Sequence, residues 1–132
     1  MRKVYVVADN IFSPLGKNTS VNMDALKKGR SGIQLHLSDM SPEPFYASLF
    51  SPEEKAGDES ISAFEHILMD SALDAMQHAS LDPGDQKNGF ILSSTKGNIS
   101  LIENLPGETF PRDRISLNTS AGIIAKKLGF VS

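Results

Sequence analysis

The feature that most constrains the fold of this chain is a long amphipathic segment followed by a turn and a short apolar run. Over residues 60–79, apolar side chains recur at steps of three and four, and the stripe consists of Ile61, Phe64, Leu68, Ala72, Ala75 and Ala79. This stripe predicts an α-helix, which Pro83 and Gly84 end. Residues 89–93 are then apolar on both faces, as in a buried parallel strand. A helix, a turn and a buried strand form the second half of a βαβ crossover, so we expect an α/β fold with a parallel sheet.

The rest of the pattern extends this prediction. Residues 3–8 contain three valines and predict a second buried strand, the parallel neighbour of residues 89–93. Two further helices and two weaker strands are predicted, at residues 20–28 and 116–128 and at residues 34–37 and 45–50 respectively. In an α/β layout the last helix leads into another buried strand. We therefore expect residues 1–132 to be one incomplete domain.

The composition excludes several classes of site. The chain has 13 Lys and Arg against 16 Asp and Glu, a net charge of −3, and no basic stripe that could displace the counterions of a nucleic acid. It contains no cysteine, which excludes disulfides, thiolate metal sites and a cysteine nucleophile within these residues. About five apolar residues precede Asp9, fewer than the roughly 7–15 of a secretory signal or the roughly 20 of a membrane span. We expect a cytoplasmic protein without nucleic-acid or membrane partners.

The residues alone predict no catalytic group, no cofactor and no metal site. Residues 93–98 (Ser-Ser-Thr-Lys-Gly-Asn) lie between a predicted strand and a short helix, where free amides could meet an anion. They lack the residue order of a phosphate-binding loop, so a structural turn is favoured. His66 and His78 would lie about 18 Å apart along one helix, too far to share a metal ion.

Five segments carry a further signal through their order. They are Ser-Pro-Leu-Gly at 13–16, Ala-Leu-Lys-Lys-Gly-Arg-Ser-Gly-Ile at 25–33, Ala-Leu-Asp-Ala at 72–75, Gly-Phe-Ile-Leu-Ser-Ser at 89–94 and Asn-Thr-Ser-Ala-Gly at 118–122. The first segment is predicted to be a turn by its Pro14 and Gly16. In this order the five segments resemble the amino-terminal part of the β-ketoacyl-acyl carrier protein synthases, which are condensing enzymes of the thiolase fold. The second segment, similar to the family's A-L-x-x-G-x-S-G-I, is the most specific. The resemblance implies a thiolase-like layered fold, of which this chain has the amino-terminal portion only.

The resemblance also implies an activity for the complete protein. In such a 3-oxoacyl-acyl carrier protein synthase, a cysteine thiolate takes an acyl group from a carrier protein, and a decarboxylating malonyl-carrier donor attacks that thioester while two histidines stabilise the oxyanion. This Claisen condensation elongates acyl chains in fatty acid, polyketide or polyene biosynthesis. This chain has no cysteine, and His36, His66 and His78 match none of the family's catalytic positions. We therefore predict that it is inactive alone, and Asp9 and Asn10, which replace the family's glycine-bearing strand end, indicate a divergent branch.

The partners implied by the resemblance are an acyl carrier protein and a second condensing-enzyme subunit, with the family forming homodimers. Asn118, Ala121 and Gly122 match a region near the subunit interface and the acyl pocket, so the resemblance gives them a role in pairing or in the pocket wall. The alternative is that Ala121 and Gly122 only allow close helix packing. A second hypothesis for the whole chain also stays open. It is a self-contained, non-catalytic α/β module that pairs with a partner subunit or carrier protein and shares only ancestry with condensing enzymes.

Overall fold

The computed structural model describes residues 2–37, 41–51, 53, 60–102 and 112–131. Within these ranges the chain is a mixed α/β structure with three α-helices and a two-stranded antiparallel sheet. In chain order the elements are α1 (Thr19–Lys27), β1 (Gln34–His36), β2 (Phe45–Ala47), α2 (Ala63–Gln77), two 3-10 turns (Ile99–Ile102 and Arg112–Ile115) and α3 (Leu117–Leu128). Across the same ranges no helix is both long and apolar enough to cross a membrane. The predicted α/β class is confirmed in this coarse sense, whereas a thiolase-like parallel sheet is not shown.

The three helices lie where the sequence predicts them, with shifted ends. α1 begins after Asn18, whose Oδ1 accepts a hydrogen bond from the amide of Val21 at 3.0 Å. α2 begins after Ser62, which forms a reciprocal capping box with Glu65. α3 ends before Gly129, whose φ of +87° lies in the left-handed region that favours glycine. Because these signals are local, the sequence predicts the three helices, although their ends shift by up to three residues.

The predicted Ser-Pro-Leu-Gly turn is present and is fastened to α1. Ser13 and Gly16 exchange two backbone hydrogen bonds of 2.9 Å, which close the turn. The Nδ2 of Asn22 donates to the carbonyl oxygens of Gly16 and Ile11, at 2.8 Å each. A Cβ on Gly16 would clash with the side chain of Val21, so only glycine allows the turn to lie this close to α1.

The two weaker predicted strands form a short hairpin. β1 and β2 pair in the register Gln34↔Ala47, Leu35↔Tyr46 and His36↔Phe45. The ring of His36 stacks on that of Phe45 with 5.5 Å between centroids, and its Nε2 lies 3.0 Å from the carbonyl oxygen of Ala47. Leu35 and Tyr46 lie on the other face and are 51% and 74% exposed. The hairpin therefore has one face packed on itself and one apolar face in solvent.

Residues 3–8 and 89–93, predicted as parallel strands, are not hydrogen-bonded as strands in the structure. The side chains of Val4 and Val6 are 93% and 86% exposed, and that of Ile91 is 93% exposed. A β-strand exists only through hydrogen bonds to a neighbouring strand, whereas a valine-rich composition only makes such pairing favourable. No strand among the described residues pairs with either segment, so this part of the prediction is corrected.

The apolar core lies where α2 and α3 pack together. Ile61, just before α2, and Ile124 and Leu128 of α3 are buried. Phe90 lies against Phe130, just after α3, with 5.8 Å between ring centroids. This packing brings the start of α2, the 3-10 turns and α3 together around one buried carboxylate.

Candidate functional site: a buried carboxylate held by four segments

The most completely buried ionisable group that the structure describes is the carboxylate of Glu65, in the first turn of α2. Its side chain has no solvent exposure. The guanidinium of Arg114, in the second 3-10 turn, donates from Nη1 to Oε1 and from Nη2 to Oε2, at 2.8 Å each. This two-point geometry matches the fork of the guanidinium to both carboxylate oxygens. Arg114 remains 26% exposed, so the ion pair has one buried and one partly hydrated partner.

Three more donors complete the shell around this carboxylate. The Oε1 of Glu65 also accepts from the Nδ2 of Asn98 and from the Oγ of Ser120, both at 2.9 Å. Its Oε2 accepts from the backbone amide of Ser62 at 2.9 Å. Asn98 and Ser120 are themselves fully buried. The carboxylate thus receives five hydrogen bonds, which satisfies a buried charge that would otherwise be strongly destabilising.

Asn98 connects the remaining members of the cluster. Its Nδ2 also lies 3.0 Å from the backbone carbonyl of Arg114 and 3.0 Å from the Oγ of Ser120. Its Oδ1 accepts from the Oγ of Ser62 at 2.5 Å, and that Oγ in turn accepts from the amide of Glu65. The cluster of Ser62, Glu65, Asn98, Arg114 and Ser120 therefore ties together four segments of the chain: the start of α2, the residue before the first 3-10 turn, the second 3-10 turn and α3.

The electrostatics of the cluster argue for a structural role. Burial raises the pKa of Glu65, but the hydrogen bonds from Arg114, Ser62, Ser120 and Asn98 outweigh it and lower the pKa from 4.5 to about 2. The hydrogen bond with Glu65 also raises the pKa of Arg114. A carboxylate that is ionised at every physiological pH and already accepts five hydrogen bonds is poorly suited to proton transfer. Its chemistry here is to hold segments in place.

The turn that precedes Asn98 is structural as well. The Oγ of Ser94 accepts from the amides of Lys96 and Gly97, at 3.3 and 3.0 Å. These amides are among those that an anion would need, so the favoured interpretation of residues 93–98 as a structural turn agrees with the structure. Gly97 has a φ of +54°, and a Cβ there would lie 2.8 Å from Cδ2 of Leu117. The turn is packed against the start of α3 and aims Asn98 into the cluster.

The histidines lie apart from one another, and the Nδ1 of His66 has no hydrogen-bond partner among the described residues. The Nδ1 of His78 lies 2.8 Å from the carbonyl oxygen of Asp74, one helical turn before it. The Nδ1 of His66 lies 3.8 Å from Oδ2 of Asp70, and His36 belongs to the hairpin. The described part of the chain holds no group of three or more side chains placed to bind a metal ion.

An open groove runs along the second half of α2. Its volume is about 430 Å³, and it is lined by Asn10, Leu68, Ser71, Ala72, Ala75, Phe90, Ile91, Leu92 and Ser93. From α2 it is lined by Leu68 and Ser71 and by the small side chains of Ala72 and Ala75. The Oδ1 of Asn10 is buried and has no hydrogen-bond partner among the described residues. The groove is thus lined by Asn10, two residues past the first predicted strand, and by residues 90–93 of the second.

The three predicted site residues lie on one side of α3, at positions i, i+3 and i+4 of the helix. Asn118 and Gly122 are exposed and point away from the cluster, because two residues before and after Ser120 are on the opposite side of a helix. Ala121 is half-buried between them and the core. A Cβ at Gly122 would meet no described atom within 4 Å. No neighbour in the described structure therefore supports the hypothesis that Gly122 allows close helix packing.

Sequence reasoning missed most of the cluster. The spacing of Ser62 and Glu65 indicates a capping box, which places this glutamate at the helix start but says nothing about its burial. Arg114 lies 49 residues further along the chain, in a segment without periodicity. Asn98 and Ser120 carry no local signal either, because a buried hydrogen-bond partner is defined by the tertiary structure.

Comparisons of the chain with protein-family models, with curated proteins and with solved structures gave no match. The likeness to condensing enzymes therefore rests on the ordered segments in this sequence.

Proposed function

We propose that this chain is the amino-terminal segment of a 3-oxoacyl-acyl carrier protein synthase with a thiolase-like layered fold. Such an enzyme elongates acyl chains by decarboxylative Claisen condensation in the cytoplasm, for fatty acid, polyketide or polyene synthesis. Its partners are an acyl carrier protein and a second condensing-enzyme subunit, in the proposed case a second copy. The chain by itself is inactive in this proposal, because it holds neither the cysteine nor the matching histidines.

The observation that carries the proposal is the composition of the groove on α2. Asn10, just past the first predicted strand, and residues 90–93, within the second, line the same groove of about 430 Å³. In a βαβ unit, two parallel strands lie over one face of the helix that connects them. The placement of residues 90–93 beside one face of α2, together with Asn10 two residues past the first predicted strand, supports a layered fold of this type.

The exposure of the two segments gives independent support. The valines of residues 3–8 and Ile91 face solvent, although runs of this kind are typical of strands buried on both sides. Additional strands would cover these side chains and provide the missing hydrogen bonds. In the proposal those strands come from the rest of the condensing enzyme.

The residues of this chain have positioning roles in the proposed enzyme. The cluster around Glu65 fixes α3 relative to α2, since Ser120 on α3 donates directly to that carboxylate. Asn118 and Gly122 then lie on the outward side of α3, where a partner subunit or the wall of an acyl pocket would meet them. The catalytic thiolate and the two oxyanion-stabilising histidines belong to segments outside these residues.

The test is to read the encoding locus past the codon for Ser132 and to assay the protein that it specifies. We expect a frame that supplies a cysteine on a Gly- or Ala-rich turn and histidines further on. We also expect release of carbon dioxide from malonyl-carrier protein and condensation with an acyl primer. Replacement of that cysteine by serine should abolish acyl transfer. A stop codon at that point, together with no condensation by this chain in the presence of a carrier protein, would overturn the proposal and favour the non-catalytic module.

A further inference from the structure

The turn that precedes residues 89–93 is closed by the side chain of Asn88. Its Nδ2 donates to the backbone carbonyl of Asp82 at 2.7 Å, and its backbone N–H donates to the carbonyl of Asp85 at 2.9 Å. The orientation of the side-chain amide follows from chemistry, because a carbonyl oxygen can only accept and so must face the NH₂ group. The Asn88 side chain therefore acts as a clasp between the two ends of the turn.

Asn88 also differs from the other asparagines in its neighbour on the carboxyl side. Of the seven asparagines in the sequence, it alone precedes a glycine. Gly89 is exposed, and no described atom lies within 4 Å of the position that a Cβ would take there. The backbone nitrogen of Gly89 is thus shielded neither by a side chain of its own nor by a neighbour at that position. Asp85 and Lys87 are exposed as well, so water reaches the turn.

We propose that Asn88 is a deamidation site and that its modification opens this turn. The backbone nitrogen of Gly89 attacks the Cγ of Asn88. The new N–Cγ bond forms, the Cγ–Nδ2 bond breaks, and ammonia leaves with the proton that the Gly89 amide gives up. Water then hydrolyses the resulting succinimide at either of its carbonyls, which yields aspartate or isoaspartate. The overall reaction converts an amide and water into an acid and ammonia and involves no oxidation or reduction.

The consequence of the modification follows from the hydrogen bond that the Asn88 side chain donates to the backbone carbonyl of Asp82. Either product replaces an NH₂ donor by a carboxylate, which cannot donate to the carbonyl of Asp82 when ionised. The product also adds a negative charge beside Asp82 and Asp85, which repel it. Isoaspartate further lengthens the backbone by one carbon. The modification therefore releases the clasp and loosens the attachment of residues 89–93, the segment that borders the groove on α2.

The first experiment measures the reaction in the full chain. The purified protein is held in mildly alkaline buffer, and peptides are mapped by mass spectrometry together with enzymatic labelling of isoaspartate. We expect acidic products at Asn88 but not at Asn118, an exposed asparagine that precedes threonine. Gly89→Ala should suppress the products, because a methyl group hinders the attacking nitrogen. This variant should fold normally, since the φ of Gly89 is not left-handed and its surroundings are open. Equal rates at both asparagines, or no effect of Gly89→Ala, would overturn the site.

The second experiment tests the clasp. Asn88→Asp reproduces one product, and Asn118→Asp adds the same charge to the outward face of α3 as a matched control. Hydrogen–deuterium exchange of residues 82–93 should become faster in Asn88→Asp and remain unchanged in Asn118→Asp. Unchanged exchange in both variants would show that Asn88 does not hold the turn closed, and the proposed consequence of the modification would be wrong.

Discussion

Glu65 and Arg114, 49 residues apart in the sequence, face each other through two hydrogen bonds of 2.8 Å. One partner is fully buried and the other keeps a quarter of its side chain in solvent. The pair is the strongest link between α2 and the second 3-10 turn among the described residues, and three further donors converge on the same carboxylate. The contribution of this cluster to stability can be measured by replacing its members one at a time.

Replacement of Arg114 should strongly lower the free energy of unfolding. In Arg114→Met the carboxylate of Glu65 stays buried but loses its counter-charge, and we expect a loss of about 3–5 kcal/mol in the free energy of unfolding. Urea denaturation measures this loss. Arg112→Met, on the same 3-10 turn but exposed, is the control and should change stability by less than about 0.5 kcal/mol. If Arg114→Met does not fold, Arg114→Lys, which keeps the charge but not the fork, should give an intermediate loss. Similar stabilities of the Arg114 and Arg112 variants would contradict a stabilising cluster.

Stability should fall in acid because of Glu65. Its pKa in the folded chain is about 2, below the ordinary value of 4.5, so the folded state binds this proton less readily than the unfolded state does. The stabilisation is fully present above pH 4.5 and is lost as the pH falls through that window toward 2, by up to about 3 kcal/mol. Denaturation at a series of pH values should show this loss in the wild-type chain and a smaller one in Glu65→Gln. Asp24→Asn, which removes an exposed carboxylate, should retain the wild-type dependence. Parallel curves for all three proteins would refute the assignment.

The turn at Gly97 should tolerate no side chain. Gly97→Ala places a Cβ 2.8 Å from Leu117 and forces alanine into a φ of +54°. We expect a loss of about 1–3 kcal/mol, the usual range for such backbone strain. Gly89→Ala is the matched control, because its Cβ would enter open space without a left-handed φ. Thermal unfolding of the two variants should separate them clearly, and equal melting temperatures would mean that the turn is not packed against α3.

A side chain at Gly122 should have opposite effects in two contexts. Within this chain, Gly122→Ala adds a helix-favouring residue where no described atom lies close, so stability should rise by about 0.5–1 kcal/mol. In the complete condensing enzyme of the proposed function, a larger residue on that outward face should interfere with the neighbouring subunit or the pocket. We therefore expect Gly122→Leu to weaken dimerisation or acyl transfer there, as measured by sedimentation and by the condensation assay. Full activity of Gly122→Leu would remove this residue from the proposed interface.

The helices and the first turn could be predicted because their signals are local. The stripe from Ile61 onward, the Ser62–Glu65 spacing and the glycine after Leu128 each act within a few residues, and the structure confirms the elements they predict. Pairing of strands is not local. The run at residues 3–8 has the composition of a strand, but its partner must come from far along the chain or from another chain, and composition cannot supply it.

The cluster could not be predicted for a related reason. Nothing near Arg114 in the sequence distinguishes it from Arg112, which is exposed, because only the packing of α3 against α2 decides which guanidinium reaches Glu65. The sequence around Asn98 and Ser120 likewise contains no signal that these residues are buried. A polar residue with a buried partner looks like any surface polar residue until the fold brings the two together.

The distance along the chain between Glu65 and its donors also dictates an order of events during synthesis. When α2 leaves the ribosome, only the backbone amide of Ser62 is at hand for this carboxylate, and Arg114 comes 49 residues later. Until then the carboxylate of Glu65 must stay in water, so the start of α2 cannot be buried against its neighbours. Arg114 and Ser120 can bind Glu65 only after their own segments have been synthesised. α2 therefore reaches its final position only after α3 has been made.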